Sequence, residues 1–358
     1  MANCPLVSII CPLYNKKNYV QETIDSVINQ TYTNWEMIIV DDGSTDGSYE
    51  LVEEIYKSND GIKLYHRSDF KQNKGGSVCR NVGIELAKGE FILFLDADDL
   101  LIKECLANRI DLQAHFPGQD MYIFPETYFK ENIDNVVKRR GWNWLDRLLY
   151  KCSTEKKAYF LRRFLKYYLP FQTTCVLWSV QTLKMIDGFD ETFQRLQDPE
   201  IHTKALLQET VKIKDFLFSQ PADAYIRLDE QRHIHSMGTL KEKYLAHIES
   251  SEKFVSKFKA ALQENKKSLV KYLSVHLMMA ETSINNVLIS SESCDATFYL
   301  SLREDVSKFR KAQNLCLSRL AQRVISLHGY LVRHNILRRI KLPALLNLIL
   351  IYFGKFIK

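Results

Sequence analysis

Short apolar runs alternate with segments of helical periodicity along the first part of the chain. The apolar runs, typical of buried parallel strands, are LVSIIC (6–11), WEMIIV (35–40), IKLYH (62–66) and EFILFL (90–95). Between them, apolar side chains recur at helical spacing over residues 19–29, 49–57 and 77–88. Strands that alternate with helices predict right-handed crossovers, and therefore an α/β domain with a mainly parallel sheet covered on both faces.

Acidic residues follow two of these predicted strands directly: Asp41, Asp42, Asp96, Asp98 and Asp99. Ligands of such sheets lie outside the carboxyl ends of the strands. If strand geometry persists, Asp96 and Asp98 point to the same side and Ala97 leaves room between them, so that the pair can hold Mg²⁺ or Mn²⁺. The alternative is a polar turn in which Asp98 or Asp99 caps a helix near Leu101.

The net charge of +6 is unevenly distributed. Residues 231–358 carry 21 Lys and Arg against 9 Asp and Glu. After Val306 the chain has basic residues and no acidic ones, which favours a partner with an anionic surface. The apolar stretch 342–353 is shorter than the roughly 20 residues that span a bilayer, so we expect peripheral membrane contact through this tail. A core helix or a homo-oligomer contact is the alternative.

The cysteines and the N-terminal residues indicate in which cellular compartment to expect the protein. The eight cysteines lack metal-binding spacing such as CxxC, which argues against a zinc site and a disulfide framework. The opening MANCPLVSIICPLYN has no basic region followed by a cleavage site and reads as a strand rather than a signal peptide. We therefore expect a cytoplasmic protein, peripheral on the inner face of the cytoplasmic membrane, with no nucleic-acid partner.

Two segments resemble glycosyltransferase family 2 proteins of the GT-A fold: VSIICPLYNKKNYVQETIDSVINQTYTNWEMIIVDDGSTDGS and NKGGSVCRNVGIELAKGEFILFLDADD. The resemblance covers roughly residues 5–110 and continues more faintly over 186–207. It implies an inverting, metal-dependent transfer of a sugar from a nucleotide diphosphate sugar, with uridine favoured by family frequency. The expected acceptor is a saccharide or glycolipid in cell-surface polysaccharide biosynthesis.

The same resemblance implies a set of site residues. The nucleotide-sugar site would comprise Pro12, Tyr14, Asn15, Asp42, Arg80, Asp96, Ala97 and Asp98. Asp42 would bind the base, and Asp96 and Asp98 would form the DxD motif that binds ribose and a divalent metal, Mn²⁺ or Mg²⁺. His235, which directly precedes Ser236 in AYIRLDEQRHIHSMG (224–238), is expected as a further metal ligand in preference to His233.

The general base implied by the resemblance is Asp198, in LQDPEIH. Where the family has an acidic pair followed by an aromatic residue, this chain has Gln197, Asp198 and Pro199. Asp-Pro-Glu also favours a helix start capped by Asp198, and Glu200 is the reserve candidate. The alternative function is therefore a degenerate, non-catalytic subunit that binds nucleotide sugars or serves in assembly. A nucleotidyltransferase is disfavoured, because the Gly-rich basic loop expected near Asn15 is missing.

The predicted domain organisation follows these motifs. Residues 1–238 form the GT-A domain, with a nucleotide-binding half over 1–115 and an acceptor-side half over 116–238. Trp142 and Trp144 either stack on a sugar or belong to the core. A basic α-helical region follows, with helical periodicity over residues 241–263, 268–288 and 298–331 within 239–358.

Overall fold

The computed structural model describes residues 4–57, 59–130, 132–137, 142, 144–228, 240–290, 296–313 and 315. The chain divides into two compact units. The first comprises Met1–Lys157, Pro170–Phe193 and Glu200–Ser236; the second comprises Ala158–Leu169, Gln194–Pro199 and Met237–Lys358. The predicted boundary between residues 238 and 239 lies outside the described residues, so that domain division stays a prediction.

A seven-stranded sheet forms the centre of the first unit. Its strands are β1 (Val7–Leu13), β2 (Trp35–Asp41), β3 (Ile62–His66), β4 (Phe91–Phe94), β6 (Met121–Ile123), β9 (Val176–Ser179) and β10 (Ile213–Asp215). They lie in the order β10-β6-β9-β4-β1-β2-β3, and β9 alone runs antiparallel to its neighbours in this sheet. The mainly parallel α/β sheet is thereby confirmed, and β1 lies between the two strands that end in acidic residues.

A smaller four-stranded sheet accompanies it, built from β5 (Leu100–Leu101), β7 (Glu126–Lys130), β8 (Asn132–Val137) and β11 (Ala224–Arg227). β11 pairs with β5 antiparallel and with β7 parallel. Because β5 begins directly after Asp99, this pairing brings the end of β11 to the acidic cluster.

Helices account for most of the remaining described residues. In chain order they are α1 (Val20–Ile28), α2 (Ser48–Tyr56), α3 (Gly76–Leu86), α4 (Cys105–His115), α5 (Trp144–Cys152), α6 (Lys156–Phe164), α7 (Val180–Met185), α8 (Gln197–Leu207), α9 (Leu240–Asn265), α10 (Val270–Ser290) and α11 (Ala296–Ala312). α3 packs on β1 so closely that a Cβ atom at Gly83 would lie 2.3 Å from Cγ2 of Ile10. Only glycine allows this approach of the helix to the sheet.

Arg109 of α4 anchors the first unit through a buried ion pair. Its Nε donates to Oδ2 of Asp223 at 2.8 Å, its Nη2 donates to Oδ1 at 2.6 Å, and its Nη1 donates to the Thr174 carbonyl at 2.9 Å. Arg109 is fully buried and Asp223 nearly so. The guanidinium thus connects the helix after β5 to the segment before β11.

We expect Arg109→Met to lower the free energy of unfolding by about 3 kcal/mol, because Asp223 would remain as a buried charge without its counter-ion. Chemical denaturation measures this. Lys103→Met, at a side chain that is 70% exposed, is the control and should change stability by less than about 0.5 kcal/mol. Adding Asp223→Asn should recover part of the loss. An Arg109→Met protein as stable as the parent would contradict the interpretation.

The second unit is helical in its described residues, which include α9, α10 and α11. Among the described residues of the chain, no helix is both long enough and apolar enough to cross a bilayer. The apolar basic tail lies outside the described residues, and its membrane contact stays a prediction. The helical region that the sequence predicts is confirmed for 240–290 and 296–312.

A cluster of aromatic and histidine rings forms part of this second core. The ring of His276 stacks on Phe254 with 4.6 Å between centroids, and Tyr167 packs edge-on against it at 4.9 Å. The Tyr167 hydroxyl hydrogen-bonds to Nε2 of His247. Burial lowers the pKa of His276 to about 3, with the neighbouring His247 adding to the effect, and burial also lowers the pKa of His247.

This burial predicts a loss of stability in acid. Below pH 6.5 a histidine of the unfolded chain binds a proton that buried His276 does not, so stability falls as the pH decreases. From pH 7 to pH 5 the loss from His276 should be about 2 kcal/mol. Thermal unfolding of His276→Phe against the parent isolates this contribution, because phenylalanine preserves the stacked ring. The variant should lose less stability between the two pH values; an equal loss would show that His276 is protonated in the folded chain.

Candidate active site

Asp42 lies at the carboxyl end of β2, where two donors fix its side chain. Arg67 Nε donates to Oδ1 at 2.7 Å, and the backbone N–H of Gly75 donates to Oδ2 at 2.8 Å. Gly75 has φ +127°, a conformation that L side chains rarely adopt, while a Cβ atom there would have no heavy atom within 4 Å. Glycine is therefore needed for the backbone conformation that aims this N–H at Asp42, and not for space.

Asp41 has a different role from its neighbour. It is buried, and one oxygen of its carboxylate accepts two backbone N–H groups, that of Gly43 at 2.9 Å and that of Ser44 at 3.1 Å. These are the bonds of an Asx-type turn. Of the acidic pair, Asp41 shapes the loop, while Asp42 is only partly buried.

The loop after β1 lies against the loop after β2. Pro12 is half-buried within β1, Tyr14 is 45% exposed, and Asn15 has φ +50°. The Asn15 N–H donates to Oγ of Ser44 at 3.0 Å, and its side-chain oxygen accepts the N–H of Thr45 at 2.8 Å. These bonds hold the two loops together and leave the Tyr14 ring accessible.

The acidic cluster follows β4. Asp96 is half-buried, whereas Ala97, Asp98 and Asp99 are buried, and the Asp99 N–H closes a turn onto the Asp96 carbonyl at 3.0 Å. Two basic side chains among the described residues contact these acids: Arg80 Nη2 lies 2.6 Å from Asp96 Oδ1, and the Lys16 ammonium contacts Asp98. Since like charges this close repel one another, the basic side chains offset part of the repulsion.

Asp99 binds backbone rather than capping a helix. Its Oδ1 accepts the N–H of Arg227 at 2.9 Å, and Arg227 Nε donates to the Asp98 carbonyl at 2.9 Å. Arg227 Nη2 also donates to Glu22 Oε2 at 2.6 Å. The alternative in which Asp98 or Asp99 caps a helix near Leu101 is wrong, because residues 100–101 form β5 and α4 begins only at Cys105.

The field of the carboxylates is evident at two buried thiols. The pKa of Cys11 is raised by burial and then by Asp96 and Asp98. The pKa of Cys79 is raised to about 12 by burial and then by Asp42. Carboxylates at the ends of β4 and β2 thus raise the pKa values of buried thiols near them, and Arg67 and Arg80 partly oppose this effect.

The acidic cluster fits a divalent cation. Within the part of the chain that the structure describes, Asp96, Asp98 and Asp99 are carboxylates whose ligand oxygens lie within 4.8 Å of one another. Carboxylate oxygens are the ligands that Mg²⁺ and Mn²⁺ prefer. Asp99 joins the two acids of the DxD motif, although the sequence did not single it out as a ligand. His235 lies outside the described residues, and its metal role stays a prediction.

Asp198 lies in the first turn of α8, which begins at Gln197 after Leu196 at φ +62°. The helix thus starts two residues earlier than an Asp198 cap would place it, and the catalytic role of Asp198 stays a prediction. The reserve candidate, Glu200, is buried. It accepts the Asp190 N–H at 3.3 Å and lies 3.8 Å from the Lys204 ammonium, which are contacts of a structural carboxylate.

The two tryptophans differ in environment. Trp142 is buried, and its indole N–H donates to the Pro170 carbonyl at 3.0 Å, so it belongs to the core. Trp144, the first residue of α5, is 75% exposed. Of the two, only Trp144 presents its ring to solvent.

Comparison with known proteins finds a family that matches part of the chain. Residues 8–173, just under half of the chain, match glycosyl transferase family 2. A putative teichuronic acid biosynthesis glycosyltransferase, TuaG of Bacillus subtilis, is 39% identical over 107 residues, which cover 30% of this chain and 41% of TuaG. The chain spans less than half the length of the curated relatives that it matches first.

Solved structures share the fold at low sequence identity. S. aureus TarS 1–349 in complex with UDP-GlcNAc superposes with a TM-score of 0.61 at 19% identity, covering 92% of this chain and 87% of that one. A mannosyltransferase from Pyrobaculum calidifontis, in complex with GDP-Man and Mn²⁺, gives a TM-score of 0.51 at 16% identity, covering 95% and 88%. Residues 8–173 of the chain thus match glycosyl transferase family 2, and the chain shares the GT-A fold of these solved structures.

Proposed function

We propose that this protein is an inverting glycosyltransferase that moves a sugar from a UDP-sugar to a saccharide or glycolipid acceptor in cell-surface polysaccharide synthesis. The observation that carries the proposal is that Asp42 and the Asp96–Asp98–Asp99 cluster follow the carboxyl ends of β2 and β4, the two strands that pair with β1. The match to the family supports the reaction class. TuaG, named for teichuronic acid synthesis, and TarS, solved with UDP-GlcNAc, support the substrate class.

Each residue at this edge has a role in the proposed donor complex. Asp42, oriented by Arg67 and Gly75, accepts N–H groups of the base, and the exposed ring of Tyr14 packs against it. Pro12 and Asn15 line the same loop, and Arg80 lies beside the donor through its pairing with Asp96. A fixed carboxylate acceptor recognises a base N–H strongly, because a hydrogen bond to an ionised acceptor is stronger than one between neutral groups.

Asp96 and Asp98 hold the divalent metal in this proposal, with His235 as an additional ligand. When bound, Mn²⁺ or Mg²⁺ neutralises the negative charge that develops on the leaving diphosphate. The buried position of Asp98 and the backbone bonds of Asp99 fix the oxygens before any ligand arrives. Preorganised groups of this kind need no rearrangement during the reaction.

Asp198 is the proposed general base. It accepts the proton of the acceptor hydroxyl as that oxygen bonds to the anomeric carbon and the bond from that carbon to the diphosphate breaks. Attack from the face opposite the leaving group inverts the anomeric centre. A second candidate, a subunit that binds donors without turnover, is favoured by Gln197, which stands where the family has an acid. The exposed Trp144 is proposed to contact the acceptor.

A thermal-shift screen of UDP-, GDP- and dTDP-sugars, with and without Mn²⁺, tests the proposed donor class. At a ligand concentration of 100 times Kd, a ligand that binds only the folded chain stabilises it by about 2.7 kcal/mol. We expect UDP-sugars to raise the unfolding temperature, and more so with Mn²⁺. Asp42→Asn should reduce this shift, whereas Asp69→Asn, in the loop after β3, should not. A chain that no nucleotide sugar stabilises would contradict the proposal.

A further inference from the structure

A basic residue, Lys16, contacts a carboxylate oxygen of the proposed metal site. Lys16 Nζ lies 2.5 Å from Asp98 Oδ2, and the two side chains are 20% and 1% exposed. The corresponding pair at the other acid, Arg80 with Asp96, leaves the carboxylate side chain 30% exposed. Asp96 therefore has room for a second partner, whereas the buried Asp98 has far less, and an ammonium group and a divalent cation compete directly for it.

The backbone that carries Lys16 is held in place. Its N–H donates to Oγ of Ser48 at 2.8 Å, at the first residue of α2. The N–H of the residue before it binds Ser44, and the N–H of Lys17 binds Asp46 Oδ2 at 3.0 Å. Three successive amides thus bind side chains of the loop after β2 and of the first residue of α2. Movement of the ammonium must come from the flexible side chain and not from the loop.

The ammonium has another partner nearby. Lys16 Nζ lies 5.6 Å from the centroid of the Tyr19 ring, within the range of a cation–π contact. A small rotation of the side chain can therefore release Asp98 without leaving the charge unsolvated. The diphosphate of a nucleotide donor would offer a stronger anionic partner at the same edge of the sheet.

We propose that Lys16 competes with the divalent metal for Asp98 and thereby couples metal binding to donor binding. This inference rests on the proposed function. Without a nucleotide, the metal must displace the ammonium from Asp98, which lowers its affinity. With UDP bound, the ammonium transfers to the diphosphate and Asp98 becomes available to the metal. By linkage, the metal strengthens UDP binding by the same factor as UDP strengthens metal binding.

Mn²⁺ titrations followed by the electron paramagnetic resonance of free Mn²⁺ test this coupling without turnover. The parent chain, Lys16→Met and Lys16→Arg are titrated with and without UDP. We expect Lys16→Met to bind Mn²⁺ alone about 10-fold more tightly than the parent, and UDP to enhance its Mn²⁺ affinity by a smaller factor than it does in the parent. Lys16→Arg keeps the charge and should bind Mn²⁺ alone about as weakly as the parent. Thermal unfolding confirms that each variant is folded.

The matched control is Lys17→Met, which removes the same charge from the next, exposed residue. It should leave Mn²⁺ affinity within about 2-fold of the parent, since exposed charges are screened. Equal Mn²⁺ affinity of Lys16→Met and the parent would overturn the inference, as would an equal gain in Lys17→Met. Failure of the proposed function is distinct: Mn²⁺ would then bind Asp98→Asn as tightly as the parent, or UDP would bind none of the proteins.

Discussion

Asp98→Asn should lower the kcat of UDP-sugar turnover by about 10³-fold. The asparagine keeps the size of the side chain but loses the negative charge that both the metal and Lys16 need. Asp98 is fully buried, so water cannot replace the lost ligand efficiently. The measurement is the steady-state rate of UDP release over a range of Mn²⁺ concentrations, and the Mn²⁺ concentration for half-maximal rate should rise as well.

The matched control for this variant is Asp111→Asn. Asp111 is a 70% exposed residue of α4 that lies near His115, so the change removes the same charge far from any buried contact. Its kcat should stay within about 2-fold of the parent. Thermal unfolding should show that Asp98→Asn remains folded at the assay temperature. Full activity of a folded Asp98→Asn protein would contradict the assignment of the cluster to metal binding.

Asp198→Asn should lower the rate of sugar transfer by about 10²- to 10³-fold while donor affinity stays unchanged. Asparagine keeps the size of the side chain and loses only a favourable interaction of the charge with the helix dipole, so α8 should form as before. What it cannot do is accept the proton of the acceptor hydroxyl. The measurement pairs kcat for transfer with Kd for the donor, because a base acts on the reaction and not on donor binding.

The variant Glu200→Gln distinguishes the roles of the two acidic residues of α8, Asp198 and Glu200. Because Glu200 is buried against the Asp190 N–H and Lys204, its substitution should lower stability and have less effect on kcat. Activity that is lost in Glu200→Gln and retained in Asp198→Asn would show that the assignment of the base is wrong. A parent chain that binds donor but turns over none of it would favour the non-catalytic alternative.

The elements of the large sheet were predictable because their signals are local. The run IKLYH coincides with β3, Ile62–His66, and the other three predicted strands agree with β1, β2 and β4 within two residues at each end. Helical periodicity predicted α1, α2 and α3 equally well. A strand that is buried on both faces has a continuous apolar run, and such a run can be recognised from the local sequence without knowing which distant segments pack against it.

The segment after Asp99 could not be predicted in the same way. Local signals favoured a capped helix, but Leu100 and Leu101 pair with Tyr225 and Ala224 of β11. The partner strand is more than one hundred residues away along the chain, and tertiary pairing outweighs local capping preference. Asp99 thus accepts a backbone N–H of the small sheet instead of capping a helix.

Apart from Arg80, the cations that contact the carboxylates of the site were missed for a related reason. Arg67, Lys16 and Arg227 contact carboxylates that lie 25, 82 and, through backbone, 128 residues away in sequence. Lys16 does lie within the motif CPLYNKK, but nothing in its spacing relates it to Asp98. The sequence did indicate that cations are needed here, because clustered carboxylates repel one another. Which basic residues supply them depends on the fold.

Release of UDP from a UDP-sugar by the parent chain, measured with Mn²⁺ and then with a chelator, tests the central claim most directly. We predict release that depends on Mn²⁺, stops when the chelator is added and resumes when excess Mn²⁺ is restored. Release at the same rate in the presence of chelator, or none from any nucleotide sugar with Mn²⁺, would contradict the account of a metal-dependent glycosyltransferase.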